Sequence, residues 1–159
     1  MPIIARHNEA LELNRVDYAG SVTLAELGAL AEFNSANPTW LTYDCLNLVL
    51  AGADFLSIDF DALDALFNRY RDMYQPMNML ILRRSAWLCQ SPAAERHVGY
   101  WTKGRDAKDA LSSDVRLFDS CESAAQWLLL RPNELEKLKS GEGFTEFFRA
   151  DTRATGLQR

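Results

Sequence analysis

Apolar positions recur at two spacings along this chain, and the switches between them mark out its elements. Ile3-Ile4-Ala5, and then Leu11, Leu13, Val16 and Tyr18 with polar residues between them, read as two short strands. His7-Asn8-Glu9 is the turn expected between them, and Gly20-Ser21 closes the second. Leu24, Leu27, Leu30 and Ala31 then follow a helical spacing. Thr23 and Glu26 stand where each can satisfy a free backbone N–H of the first turn, and Val22 is placed to pack on Leu27. Pro38 ends this helix, because a proline disfavours a helical residue before it. Residues 39–45, rich in Thr, Trp and Tyr, favour a strand. From Leu46 to Ser57 the apolar run is broken by Asn47, Gly52 and Asp54, and fits a short helix or a loop equally. Phe60, Leu63, Leu66, Phe67, Tyr70, Met73 and Tyr74 share one helical face, with Asp59 or Ser57 as cap and Pro76 as stop.

Met79-Leu80-Ile81-Leu82 is apolar at every position, the pattern of a strand covered on both faces. It predicts a central strand over about residues 78–85, giving way to Arg83-Arg84-Ser85-Ala86-Trp87 at its end. Ser91-Pro92 then marks a helix start, Gly104 its end, and residues 103–114 a polar loop. Residues 114–119 alternate as a strand, with Val115 and Leu117 on one face and Arg116 and Phe118 on the other. Ser120 caps a helix carrying Ala124, Ala125, Trp127 and Leu128. Beyond Pro132 the chain turns charge-rich, with one weak amphipathic segment and a frayed tail over 150–159. Leu63, Phe67, Leu80, Leu82, Phe118 and Trp127 are expected to bury against one another.

Composition narrows the function classes. With 159 residues there is room for one domain with a real core, and 48% apolar with 25% charged residues is ordinary for a globular protein. A net charge of −5 argues against a general nucleic-acid or anionic-membrane surface. No signal peptide and no run of roughly 18 apolar residues are found, so no membrane span is expected. Cys45, Cys89 and Cys121 are scattered and odd in number, which suits a reducing cytoplasm.

Strands alternating with helices from 39 to 129 predict an α/β domain. The closing unit Val115-Arg116-Leu117-Phe118-Asp119-Ser120-Cys121-Glu122-Ser123-Ala124-Ala125-Gln126-Trp127-Leu128 is similar to the C-terminal end of the SpoIIAA-like superfamily of STAS and Sec14-type domains. The order of elements agrees: an N-terminal hairpin, the Gly20-then-Thr23 helix start, a strand ending at Asp44, a helix and the central strand. The resemblance covers about residues 9–130 and is nearest to small bacterial proteins of unassigned role. It implies a mixed four- to five-stranded sheet flanked by helices over 1–130, with 131–159 a helical extension and frayed tail. It further implies a non-catalytic, regulatory module that binds a protein partner or a ligand. In STAS domains a serine at the helix start after the Asp-ending strand is often phosphorylated. By position that serine is Ser57, but Ile58-Asp59 replaces the usual glycine, and Asp59 and Asp61 would repel a phosphate.

Four residues make a candidate ligand site: Arg84, Ser85, Trp87 and Ser91. Cations, a hydroxyl, an aromatic wall and free helical N–H groups follow one another there within nine positions. Strand alternation keeps Arg83 and Arg84 from pointing into one pocket together. Cys89 and His97 offer a thiol–base pair, the basis of a rival enzyme reading, with no third group to orient them. A third reading, a carrier of a small apolar ligand, needs an enclosed apolar cavity of some hundreds of Å3 among the aromatic residues. Asp59, Asp61 and Asp64 read as a solvated helix start. No CxxC or HxxxH spacing points to a metal, and no cofactor is implied. Phe144, Phe147 and Phe148 form an apolar cluster that a domain edge or a second copy should cover, and a homodimer is expected.

Overall fold

The computed structural model describes residues 2–77, 83–103 and 113–151. A six-stranded mixed sheet runs through it, in the order β5-β4-β3-β2-β1-β6. The strands are β1 (Ile3–Asn8), β2 (Leu13–Tyr18), β3 (Asp44–Val49), β4 (Arg83–Cys89), β5 (Ser113–Phe118) and β6 (Thr145–Ala150). β1 and β2 form an antiparallel hairpin, β2 to β5 are parallel, and β6 returns antiparallel to β1. Helices α1 (Leu24–Ala36), α2 (Phe60–Tyr74) and α3 (Glu95–Thr102) bring Leu27, Leu30, Leu63, Leu66 and Val98 onto one sheet face. Helices α4 (Cys121–Trp127) and α5 (Leu135–Ser140) cover the other, where Ala124, Ala125 and Leu138 meet Leu13, Leu46, Leu48, Ala86 and Leu88. Side chains alternate across a strand, so each strand feeds two cores.

Local signals hold where they depend on neighbours three or four residues apart. The Thr23–Glu26 capping box is formed, with Thr23 N donating to Glu26 Oε1 at 2.8 Å and Glu26 N to Thr23 Oγ1 at 3.3 Å. Leu24, counted in the α1 stripe, lies instead at the helix start with 44% of its surface exposed. Asp59, not Ser57, caps α2, accepting from Ala62 N at 2.8 Å, and Ser57 is exposed. Ser120 caps α4 through Ser123 N.

The strands differ more from expectation. The hairpin turn falls after Asn8, whose side chain accepts from Leu11 N at 3.0 Å, so His7 and Asn8 belong to β1. Residues 38–42 wind into a 3-10 turn led by Pro38, and the strand expected there starts at Asp44 and continues through Leu46 to Val49. Among the described residues β4 is Arg83–Cys89, so the residues read as the end of the central strand belong to the strand itself. Met79 to Leu82 lie outside the described residues, as do Gly104 and 152–159. The expected single core divides: Leu63 lies in the α1–α3 layer, Phe67 packs beside Leu41 and Tyr74, and Phe118 and Trp127 are half-buried together on the opposite face. Leu80 and Leu82 of that set lie outside the described residues.

The sheet exceeds the expected four or five strands because the segment after Pro132, read as helical, also contains β6. Edge position explains its charged sequence: Glu146 and Arg149 pair in solvent at 2.6 Å while the apolar residues turn inward. Phe147 stacks on Trp40 with ring centroids 4.0 Å apart, and Phe148 lies 4.9 Å from Phe33. Phe144 packs into the opposite layer. This chain therefore supplies the cover for the aromatic cluster that had suggested a second copy. No helix among the described residues is long and apolar enough to cross a membrane.

Candidate functional site

Between the sheet and α1–α3 lies a cavity of about 120 Å3. Its sheet wall follows from alternation. Val16 and Tyr18 of β2, Cys45 and Asn47 of β3, Arg83, Ser85 and Trp87 of β4, and Ser113 and Val115 of β5 all line it. Leu27, Leu30, Leu63, Leu66, Tyr70, Tyr74, His97 and Val98 close it from the helices. Half-buried Trp40, Tyr70, Arg83 and Trp101 form parts of its wall.

A polar strip crosses the apolar wall. The Tyr18 hydroxyl donates to Asn47 Oδ1 at 3.3 Å, and Asn47 Nδ2 donates to Ser85 Oγ at 3.0 Å. Arg83 Nε donates to Ser113 Oγ at 3.3 Å, and Nη1 reaches the Tyr43 carbonyl at 3.5 Å. Asn34 Nδ2 approaches the Tyr70 hydroxyl at 3.4 Å. Burial pushes the Tyr18 hydroxyl well above its ordinary range, Tyr70 to about 12 and the Cys45 thiol to about 11, so all three are neutral at pH 7. Burial works against the Arg83 charge, but Tyr74, Cys45 and Tyr70, where they ionise at high pH, and Asp44 raise that guanidinium above its ordinary value, so it stays charged.

Three side-chain atoms in this wall are buried without a hydrogen-bond partner among the described residues: Tyr74 Oη, Trp87 Nε1 and His97 Nδ1. His97 Nε2 lies 2.7 Å from the Ile58 carbonyl, an acceptor only, so Nε2 carries the proton. In the neutral ring Nδ1 is then an acceptor. Tyr74, Trp87 and His97 thus each line the cavity and carry an unsatisfied polar atom, and Arg83 is a cation among the described lining residues.

The four residues singled out from sequence separate. Ser85 and Trp87 line the cavity together. Arg84 points to the opposite face, its guanidinium 5.9 Å from the Trp127 ring centre, and its amide donates to Asp44 Oδ1 at 2.7 Å. Ser91 is 1% exposed and its hydroxyl donates to the Ala53 carbonyl, so it neither caps a helix with its side chain nor reaches the cavity. Arg83 takes the inward place on β4, two residues before Ser85.

Cys89 and His97 bond to separate partners. The Cys89 thiol donates to the Ser91 carbonyl at 3.3 Å, and burial raises its pKa, which opposes thiolate formation. His97 spends Nε2 on Ile58, and neither side chain hydrogen bonds the other. Asp59 is occupied as a cap, and Asp64 accepts from the Tyr100 hydroxyl at 3.0 Å. Among the described residues no three His, Cys, Asp or Glu side chains converge as a metal site would require.

Sequence reasoning passed over Tyr18, Asn47 and Tyr74, chose Arg84 over Arg83 for the ligand site, and weighed His97 only as a base for Cys89. One signal was present: Asn47 interrupts Cys45-Leu46-Asn47-Leu48-Val49, a polar residue inside an otherwise apolar strand. Such a residue needs a buried partner or a ligand. No family model, curated protein or solved structure matches this chain.

Proposed function

We propose that this chain is a non-catalytic binding module of SpoIIAA-like, STAS/Sec14-type character that holds one small molecule between its sheet and α1–α3. The observation that carries this reading is the clustering of unsatisfied atoms. Tyr74 Oη, Trp87 Nε1 and His97 Nδ1 are buried without partners among the described residues, and all three residues line the same cavity. A buried polar group without a partner costs about 1–3 kcal/mol, so three at one cavity favour a guest that satisfies them. At about 120 Å3 the space falls below that of drug-sized pockets and near the roughly 150 Å3 that admits benzene. The guest is therefore small, with an apolar body and few polar atoms. The protonated Cys89 and the engaged His97 favour binding over thiol chemistry. The N-terminal hairpin, the parallel strands that follow and the Val115-to-Leu128 strand–helix unit support the family assignment.

Calorimetric titration with benzyl alcohol tests the reading. Wild-type protein should bind it at one site. Val115→Phe, which pushes a ring into the cavity from edge strand β5, should weaken binding at least about tenfold through overpacking. No heat in the wild type, or equal binding in both proteins, would overturn it.

A further inference from the structure

Arg83 gives the cavity a chemical preference. It lies on the inward face of β4 with Ser85 and Trp87, and is half-buried. Among the described residues it has no carboxylate partner, whereas Arg6, Arg15, Arg71, Arg116 and Arg149 all have one. Among the described residues its two protein hydrogen bonds, to Ser113 Oγ and the Tyr43 carbonyl, are long at 3.3 and 3.5 Å, and Nη2 makes none. The nearby Asp44 carboxylate is engaged by the Arg84 amide at 2.7 Å. A half-buried guanidinium with no direct carboxylate contact has unused N–H groups, and a planar carboxylate matches them.

We infer that the cavity selects a small organic monocarboxylate with a flat apolar body, its carboxylate on Arg83 and its body between the sheet and α1–α3. This inference rests on the binding-module reading above. A single anionic charge suits the site because, among the described residues, Arg83 is the one Lys or Arg that lines the cavity. The remaining space, edged by Leu27, Leu30, Leu66 and Trp87, accommodates a body of about one aromatic ring. Tyr74, whose hydroxyl is buried without a partner among the described residues, lines the same cavity.

The test compares benzoate with benzyl alcohol by calorimetry at pH 7 and fixed ionic strength, with acetate as a carboxylate lacking the ring. Benzoate should bind wild-type protein about tenfold to a hundredfold more tightly than benzyl alcohol, as charge-assisted hydrogen bonds contribute. Acetate should bind more weakly than benzoate. Arg83→Met should bring benzoate down to the level of benzyl alcohol, and Arg83→Lys should keep part of the preference. The wild-type comparison stands even where a variant fails to fold. Benzyl alcohol binding as tightly as benzoate would overturn the carboxylate preference while leaving the binding module intact. A benzoate preference that survives Arg83→Met would overturn it as well. Binding of neither ring compound would overturn the cavity reading and this inference with it.

Discussion

Tyr18 and Trp87 stack across the cavity wall, ring centroids 5.4 Å apart and planes 21° apart, on strands that are separated by β3. Asn47 of β3 sits between these strands, directly opposite Trp87 in the ladder, and accepts the Tyr18 hydroxyl. The same side chain donates to Ser85, so one amide joins β2, β3 and β4 on the cavity side.

Removing that amide should cost stability. Asn47→Ala leaves the buried Tyr18 hydroxyl and Ser85 without their partner, and should destabilise the protein by about 1–3 kcal/mol. Urea denaturation measures the loss. A change within roughly 0.5 kcal/mol, the range of an ordinary surface substitution, would mean the bridge is not a structural link.

The opposite face has its own polar anchor. Asp17 accepts from Arg15 at 2.8 Å and from Arg6 at 2.9 Å, while Arg15 Nη1 donates to the Leu138 carbonyl at 2.7 Å, fastening the end of α5 to β2. Asp17→Ala strands the buried Arg15 charge and should cost about 3–5 kcal/mol by denaturation. A loss below about 1 kcal/mol, the worth of a surface pair, would contradict this.

Alkaline pH should weaken the fold through Cys45. Burial pushes its thiol from 9.0 to about 11. Between those values the unfolded chain releases a proton that the native state retains. This contribution is therefore intact below about pH 9 and lost as pH rises toward 11. Tyr70 acts in the same direction at higher pH, moving from 10.0 to about 12. Across the first window, wild-type protein should lose on the order of 2 kcal/mol more than Cys45→Ala, whatever the starting stability of the variant. Parallel stability profiles for the two proteins would contradict the shift.

The fold was legible from sequence where its causes are local. Thr23 with Glu26, Ser120 with Ser123, and the apolar face of α2 are written in spacings of three and four residues, and each appears in place. β4 runs on past the expected end near residue 85 to Cys89; the more apolar run Met79 to Leu82 drew the reading, whereas Arg83-Arg84-Ser85-Ala86-Trp87-Leu88-Cys89 is partly polar. The usual inference that polar positions face water fails for Ser85 and Arg83, which face a cavity. β6 pairs with β1 across the length of the chain, an arrangement no local pattern encodes. For the site, Ser85 and Trp87 were readable from their strand. Tyr74 and His97 reach the cavity through helix packing alone.

The cavity itself is the point most open to direct observation. A crystal of the protein soaked in benzyl alcohol should show one molecule between the sheet and α1–α3, accepting a hydrogen bond from Trp87 Nε1 or Tyr74 Oη. An empty or collapsed cavity, with both atoms bonded to protein groups, would contradict the account.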